Sequence, residues 1–200
     1  MTLFPAAFSL TAAVRAHFGL SIQQLARYLG VSRGFVAHIE AGRRGLPAAL
    51  APRLLHLSCG LPPPLGQGPP ASVPLPASPD PLPAPEALPA EATAPAPLRA
   101  RLLTCRLRLL EAGRRLAEAE RIAADREHRR RGLHQLQALP PPPAPAEAAR
   151  YARWLTELDE DLAHNEPDPT ARAVAHCLLK GRIAGLHAEI TTLLKINQPD

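Results

Sequence analysis

From residue 20 onward, apolar residues fall at helical spacing and are punctuated at short intervals. Ile22, Leu25, Ala26 and Leu29 share one face of a predicted helix. Ser21 is placed to cap that helix, and Gly30 supplies the left-handed residue that ends it. Ser32 then caps a second helix carrying Phe35, Val36 and Ile39 at core spacing, and Gly42 closes it. Ala26 is small where the two helices cross. Pro47 suits the first turn of a further helix that buries Leu50, Leu54 and Leu57. The periodicity then stops: residues 62–97 hold 14 prolines and no apolar repeat. This predicts a disordered Pro-rich linker, spanning up to about 110 Å at ~3.1 Å per residue where it is extended.

Past the linker the helical period returns. Leu98, Leu102, Cys105, Leu109, Ala112, Leu116, Ala119 and Ala123 alternate by four and three, a bundle or coiled-coil seam on a long helix over 98–139. Leu103, Leu107 and Leu110 widen its apolar face and imply more than one packing partner. Gly113 and Gly132 are weak points in it, and Pro140 to Pro143 begin a turn over 140–146. Tyr151, Leu155, Leu158 and Leu162 form another seam beside Trp154, and Leu179, Ile183, Leu186, Ile190 and Leu193 form a last one. The short break at Pro167 and Pro169, with Asp168 or Thr170 as cap, predicts that these two helices make an antiparallel hairpin over 147–196. The expected architecture is all-α, in five parts: a head over 1–61, the linker, the long helix, the turn and the hairpin.

The punctuation around residues 20–44 resembles the helix-turn-helix domain of phage repressors and Cro-like proteins, the XRE type, over residues 10–58. Leu25, Ala26, Leu29, Gly30, Val31, Ser32, Val36, Ile39, Glu40 and Gly42 stand at the matching positions, preceded by Leu20 and Ser21. The resemblance implies a four- to five-helix lambda-repressor-like bundle and an architectural pair between Arg15 and Glu40. It also implies that the outward face of the second motif helix enters the major groove of double-stranded DNA. With Phe35, Val36 and Ile39 assigned to the core, that face presents Arg33, Gly34, Ala37 and His38. The Arg33 fork suits two hydrogen bonds to guanine, His38 offers a second polar contact, and Gly34 and Ala37 permit close approach or contact with a thymine methyl. Phosphate anchoring falls to the helix start at Ile22, Gln23 and Gln24 and to Arg43 and Arg44 after the motif. Relatives often carry glutamine where Ile22 stands. So few polar readers give modest discrimination per half-site, which a dimer or DNA shape must supplement.

Charge agrees with a polyanionic partner. Arg15, Arg27, Arg33, Arg43, Arg44 and Arg53 face only Glu40 in residues 1–60, although 21 arginines against two lysines also reflect a composition rich in Ala, Arg and Pro. Residues 98–139 are basic and 140–200 acidic, so Glu157, Asp159, Glu160 and Asp161 offer partners, in a dimer, for the run Arg126–Arg131. No cofactor, metal or catalytic site is expected. Cys59, Cys105 and Cys177 are isolated, His176 and Cys177 are adjacent and diverge on a helix, and His164 and His187 lack ligand spacing. Three unpaired cysteines without a leader segment imply reduced thiols in the cytoplasm. Every apolar run is broken before ~20 residues, which argues against a membrane span. Self-cleavage of the kind found in some phage repressors is excluded, because residues 98–200 contain no serine. The expected function is a bacterial or phage transcription regulator, a repressor bound to its operator as a homodimer. The alternative is an adaptor or antitoxin-like protein whose residues 98–196 bind a helical partner.

Overall fold

The computed structural model describes residues 9–68, 95–164 and 168–197. Residues 69–94, most of the expected linker, lie outside them. Among the described residues all regular structure is helical: α1 Leu10–Phe18, α2 Ile22–Leu29, α3 Arg33–Glu40, α4 Ala51–Ser58, α5 Ala96–Ala138, α6 Pro145–His164 and α7 Pro169–Ile196. A 3-10 turn, Ala48–Leu50, leads into α4. The chain divides into two compact units, one holding residues 9–68 and 124–164 and the other 95–123 and 168–197. Helix α5 therefore contributes to both.

In the first unit, Leu25, Leu29, Val36, Leu54 and Leu57 form the expected core of a short helical bundle, and Val14 and Phe18 of α1 join them. That core does not end with the motif. Leu133 and Leu136 from the end of α5, and Tyr151, Trp154 and Leu158 from α6, belong to the same buried cluster. Tyr28 explains why. It lies beside the motif's own apolar face on α2, yet it is 1% exposed. Trp154 stacks on it with ring centroids 4.6 Å apart, and Tyr151 meets it edge-on at 5.7 Å. The polar tips of the two α6 aromatics are satisfied: Tyr151 Oη donates to the Leu136 carbonyl at 2.7 Å, and Trp154 Nε1 donates to the Gln24 carbonyl at 2.8 Å. Burial pushes the Tyr28 phenol up to about 12 and raises that of Tyr151 as well, so both remain neutral.

Polar contacts fasten the same faces together. Arg53 donates from Nε and Nη2 to the two Glu147 oxygens, at 2.8 and 2.7 Å, and from Nη1 to the Leu29 carbonyl at 2.8 Å. The Arg53 hydrogen bond holds the Glu147 carboxyl below its ordinary range. Glu157 and Asp161 meet Arg27 of α2. At the crossing of α5 and α1, a Cβ on Gly132 would stand 2.1 Å from the Phe18 carbonyl oxygen, so only glycine permits this approach. The head also extends past residue 61: Gln67 and Gly68 donate back to the Cys59 and Leu61 carbonyls at 3.1 and 2.7 Å, and Leu61 is buried.

The second unit is a pair of helices. Cys105, Leu109, Ala112 and Leu116 of α5 pack on Ile183 and Leu186 of α7, with Leu179 and Ile190 at the edges. Arg101 pairs with Glu189, and His176 stands 3.3 Å from Glu120, which fixes α7 antiparallel to this part of α5. The expected seam is buried from Leu102 to Leu116 and exposed at Ala119. The seams of α6 and α7, expected to pair as a hairpin over 147–196, are each buried within their own unit. Each helix has its predicted apolar face, and α6 covers the head while α7 covers α5. Asp168 caps α7, accepting from the Thr170 amide at 2.9 Å.

Candidate nucleic-acid interface

The two motif helices are cut to length by their caps. Ser21 Oγ accepts from the Gln24 amide at 3.2 Å while Gln24 Oε1 accepts from the Ser21 amide at 2.9 Å, a complete capping box. Gly30, at φ 75°, turns the chain in the left-handed conformation and donates to the Ala26 carbonyl at 2.9 Å. Ser32 Oγ accepts from the Phe35 amide at 3.2 Å and starts α3. Past the end of α3, Gly42 at φ 68° turns the chain out and donates to the Ile39 carbonyl at 3.0 Å.

Leu25, Ala26, Leu29, Val36 and Ile39 are buried between these helices and their neighbours. Arg15 clamps Glu40 from two nitrogens, Nε to Oε1 at 2.9 Å and Nη2 to Oε2 at 3.0 Å. This bidentate pair joins α1 to the end of α3 and occupies the one carboxylate that α3 carries. The hydrogen bond from Arg15 and the neighbouring charge hold the guanidinium above its ordinary range.

The expected readers Arg33, Gly34, Ala37 and His38 are all exposed on one side of α3. A Cβ at Gly34 would meet nothing within 4 Å, so a base edge has unobstructed access to the backbone there. Arg43 and Arg44, beyond the end of α3, are exposed as well. Together with Ser32, Gly34, Phe35 and His38 they line an open depression without a carboxylate.

Phe35 corrects one expectation. It is half-buried and outside the core cluster, with the Arg44 guanidinium 5.4 Å from its ring centroid. Val36 and Ile39 already fill the space beneath α3. The spacing of Phe35 to Ile39 reads as core, but the helix turns the aromatic to the rim of the reading surface. The available signal was two basic residues following closely after an aromatic on a capped helix.

The anchors at the start of α2 divide. Gln23 is exposed, and the Ile22 and Gln23 amides belong to the first turn, which has no intrahelical acceptors. The Ile22 side chain packs against the core. Gln24 is withdrawn from the surface: its amide is taken by Ser21, its Nε2 donates to Asp161 at 2.9 Å, and its carbonyl accepts from Trp154. The polar groups of Gln24, an expected phosphate anchor, are engaged by Ser21 and by α6, which crosses this face of α2. Among the described residues no three His, Cys, Asp or Glu side chains group as a metal site, and no helix is long and apolar enough to cross a membrane.

Residues 12–65 match a protein-family model described as a helix-turn-helix domain. No curated protein and no solved structure matches the chain. The match covers most of α1 and all of α2 to α4 and points to a DNA-binding regulator; the helices from residue 96 onward lie outside it.

Proposed function

We propose that this chain, whose residues 12–65 form a helix-turn-helix domain, is a transcription regulator of the XRE type. It reads an operator in double-stranded DNA through α3 and binds as a dimer, acting as a cytoplasmic repressor without catalysis or cofactor. The observation that carries this reading is the exposed row Arg33, Gly34, Ala37 and His38, flanked by Arg43 and Arg44 while Glu40 is held by Arg15. A cationic face with one forked donor and an open backbone suits the major groove, where bidentate arginine contacts distinguish guanine. Arg43 and Arg44 position the domain on phosphates, and the specificity that one arginine and three small or weakly polar readers lack comes from doubling the half-site.

The test is sequencing of genomic fragments retained by the full-length protein at physiological salt, since at low salt any basic surface retains DNA. An enriched inverted repeat is expected. Arg33→Ala relaxes the preference at one base position at a loss of about 1–3 kcal/mol, whereas Arg43→Ala weakens binding to all sequences and lowers the salt slope by about 1. Absence of enrichment in the wild type overturns the regulator reading. The second reading, an adaptor or antitoxin-like protein with a helical partner, draws on the exposed row Leu103, Leu107 and Leu110 of α5, which are 60%, 58% and 38% exposed. It predicts an interaction profile indifferent to Arg33→Ala.

A further inference from the structure

Helix α7 has two apolar rows. Leu179, Ile183, Leu186 and Ile190 face α5. On the other side of the helix a second row runs Val174, Leu178, Gly181, Gly185, Ala188 and Ile196, stepping by four and three through Ala188 in the manner of a heptad seam. Every one of these residues is exposed. The large side chains are the most open, with Val174 at 53%, Leu178 at 69% and Ile196 at 74%. A Cβ on Gly181 or Gly185 would meet nothing within 4 Å. Two helices sharing one seam make a thin unit, and a second layer of helices is the usual completion.

We propose that this row is where α7 pairs with α7 of a second copy of the chain, antiparallel and centred on Gly185. Three features of the sequence agree on that register. Pairing about Gly185 places Val174 against Ile196 and Leu178 against Thr192, so the larger side chains pack at the two ends. Gly185 then faces itself with Gly181 and Ala188 on either side of it, so small residues lie where the axes come closest. Arg182 and Glu189 lie seven residues apart on one flank of the row, and the antiparallel register sets each near the opposite charge of the other copy. Glu189 already holds Arg101 at 2.6 Å, and Arg182 of the second copy adds a further cation to it. A parallel pairing sets that flank against the Cys177 and Ala184 side, which carries no charge. Isologous pairing requires a self-complementary surface, and the row meets that requirement through one residue at its centre. The inference supplies the dimer contact that the regulator reading calls for, but it is tested without DNA.

Sedimentation velocity of the full-length chain reads it directly. The wild type sediments as a dimer of the 21.4 kDa chain, and Leu178→Glu and Gly185→Glu each return the monomer mass with helical circular dichroism retained. Gly185→Glu is the stricter variant, because replacing a helical glycine favours the helix while it blocks the close approach. Register is read by cross-linking in a Cys59→Ser, Cys177→Ser background, with Cys105 buried. Gly185→Cys forms an intermolecular disulfide under mild oxidation, whereas Leu178→Cys does not join its own copy. A wild type that stays monomeric at all attainable concentrations overturns the proposal. So does a dimer that survives both glutamate variants, or a Leu178→Cys that cross-links while Gly185→Cys does not. Operator enrichment by a protein that fails these tests leaves the regulator reading standing and removes this one.

Discussion

Replacing Trp154 by Ala tests whether α6 is part of the head. The side chain is 2% exposed, stacks on Tyr28 at 4.6 Å and donates to the Gln24 carbonyl at 2.8 Å. Truncating a buried aromatic costs about 3–5 kcal/mol in transfer and cavity terms. The Gln24 carbonyl also loses its partner, but the cavity admits water, so that part is at most about 1 kcal/mol. A total near 4 kcal/mol is a large share of the ~5–15 kcal/mol that holds a domain together. Trp154 is the only tryptophan, so its fluorescence in the wild type identifies the urea transition belonging to the head. The same transition is then followed by circular dichroism in the variant. With an m-value of about 1–2 kcal/mol/M the midpoint falls by roughly 2–4 M. Trp154→Phe keeps the stacking but loses the donor, and shifts it by about a third as much. If Trp154→Ala moves the head transition by less than about 1 kcal/mol, α6 is not a structural part of the head and the core described above is wrong.

Gly132→Ala destabilises the head by about 1–3 kcal/mol although alanine favours a helix, because its Cβ would stand 2.1 Å from the Phe18 carbonyl oxygen and must push α5 off α1; a more stable variant by urea denaturation refutes the close approach. Burial, followed by the neighbouring His128 charge, lowers the His17 pKa, with the Gly60 backbone opposing. Head stability is therefore complete above the ordinary His range near 6.5 and declines as pH falls from there towards the lower folded pKa. His17→Gln flattens that dependence in denaturation curves measured between pH 5 and 8, and an unchanged profile refutes it. Phe35→Ala costs only about 1–2 kcal/mol of stability, below the range for a core phenylalanine, since it is half-buried beside Arg44; a loss above ~3 kcal/mol returns it to the core.

The head motif was legible because its boundaries are local chemistry. Ser21, Gly30, Ser32 and Gly42 act on backbone groups within four residues of themselves, so sequence spacing carries the same information as structure. The partners of the later helices were not legible. Apolar periodicity reports which face of a helix is buried, but not what covers it, and the seams of α6 and α7 have the same four-and-three step. The distinguishing signal was chemical. The two tyrosines and the one tryptophan of the chain, Tyr28, Tyr151 and Trp154, are brought into one aromatic cluster. Tyr28 stood beside the apolar face assigned to α2, an aromatic without an assigned neighbour. For Phe35 the failure was one of capacity. Three residues had core spacing, and the space beneath α3 is filled by two.

The division of the chain has a consequence for how function is assigned to its parts. Residues 9–68 are completed by 124–164, and 95–123 are completed by 168–197, so the two units alternate along the sequence. A cut after residue 61 removes Leu133, Leu136, Tyr151, Trp154 and Leu158 from the cluster that holds Phe18 and Tyr28. Taking ~25 cal/mol per Å² for apolar area and 150–250 Å² per aromatic, re-exposing Phe18 and Tyr28 alone amounts to several kcal/mol. Loss of DNA binding by residues 1–61 would then report an unfolded head, not a tail required for recognition. Arg33, Arg43 and Arg44 are exposed and outside both clusters, and Leu178 and Gly185 are exposed on α7. Substitutions there alter the two proposed surfaces while leaving each core intact, so recognition and pairing are separable by point changes where they are not separable by deletion.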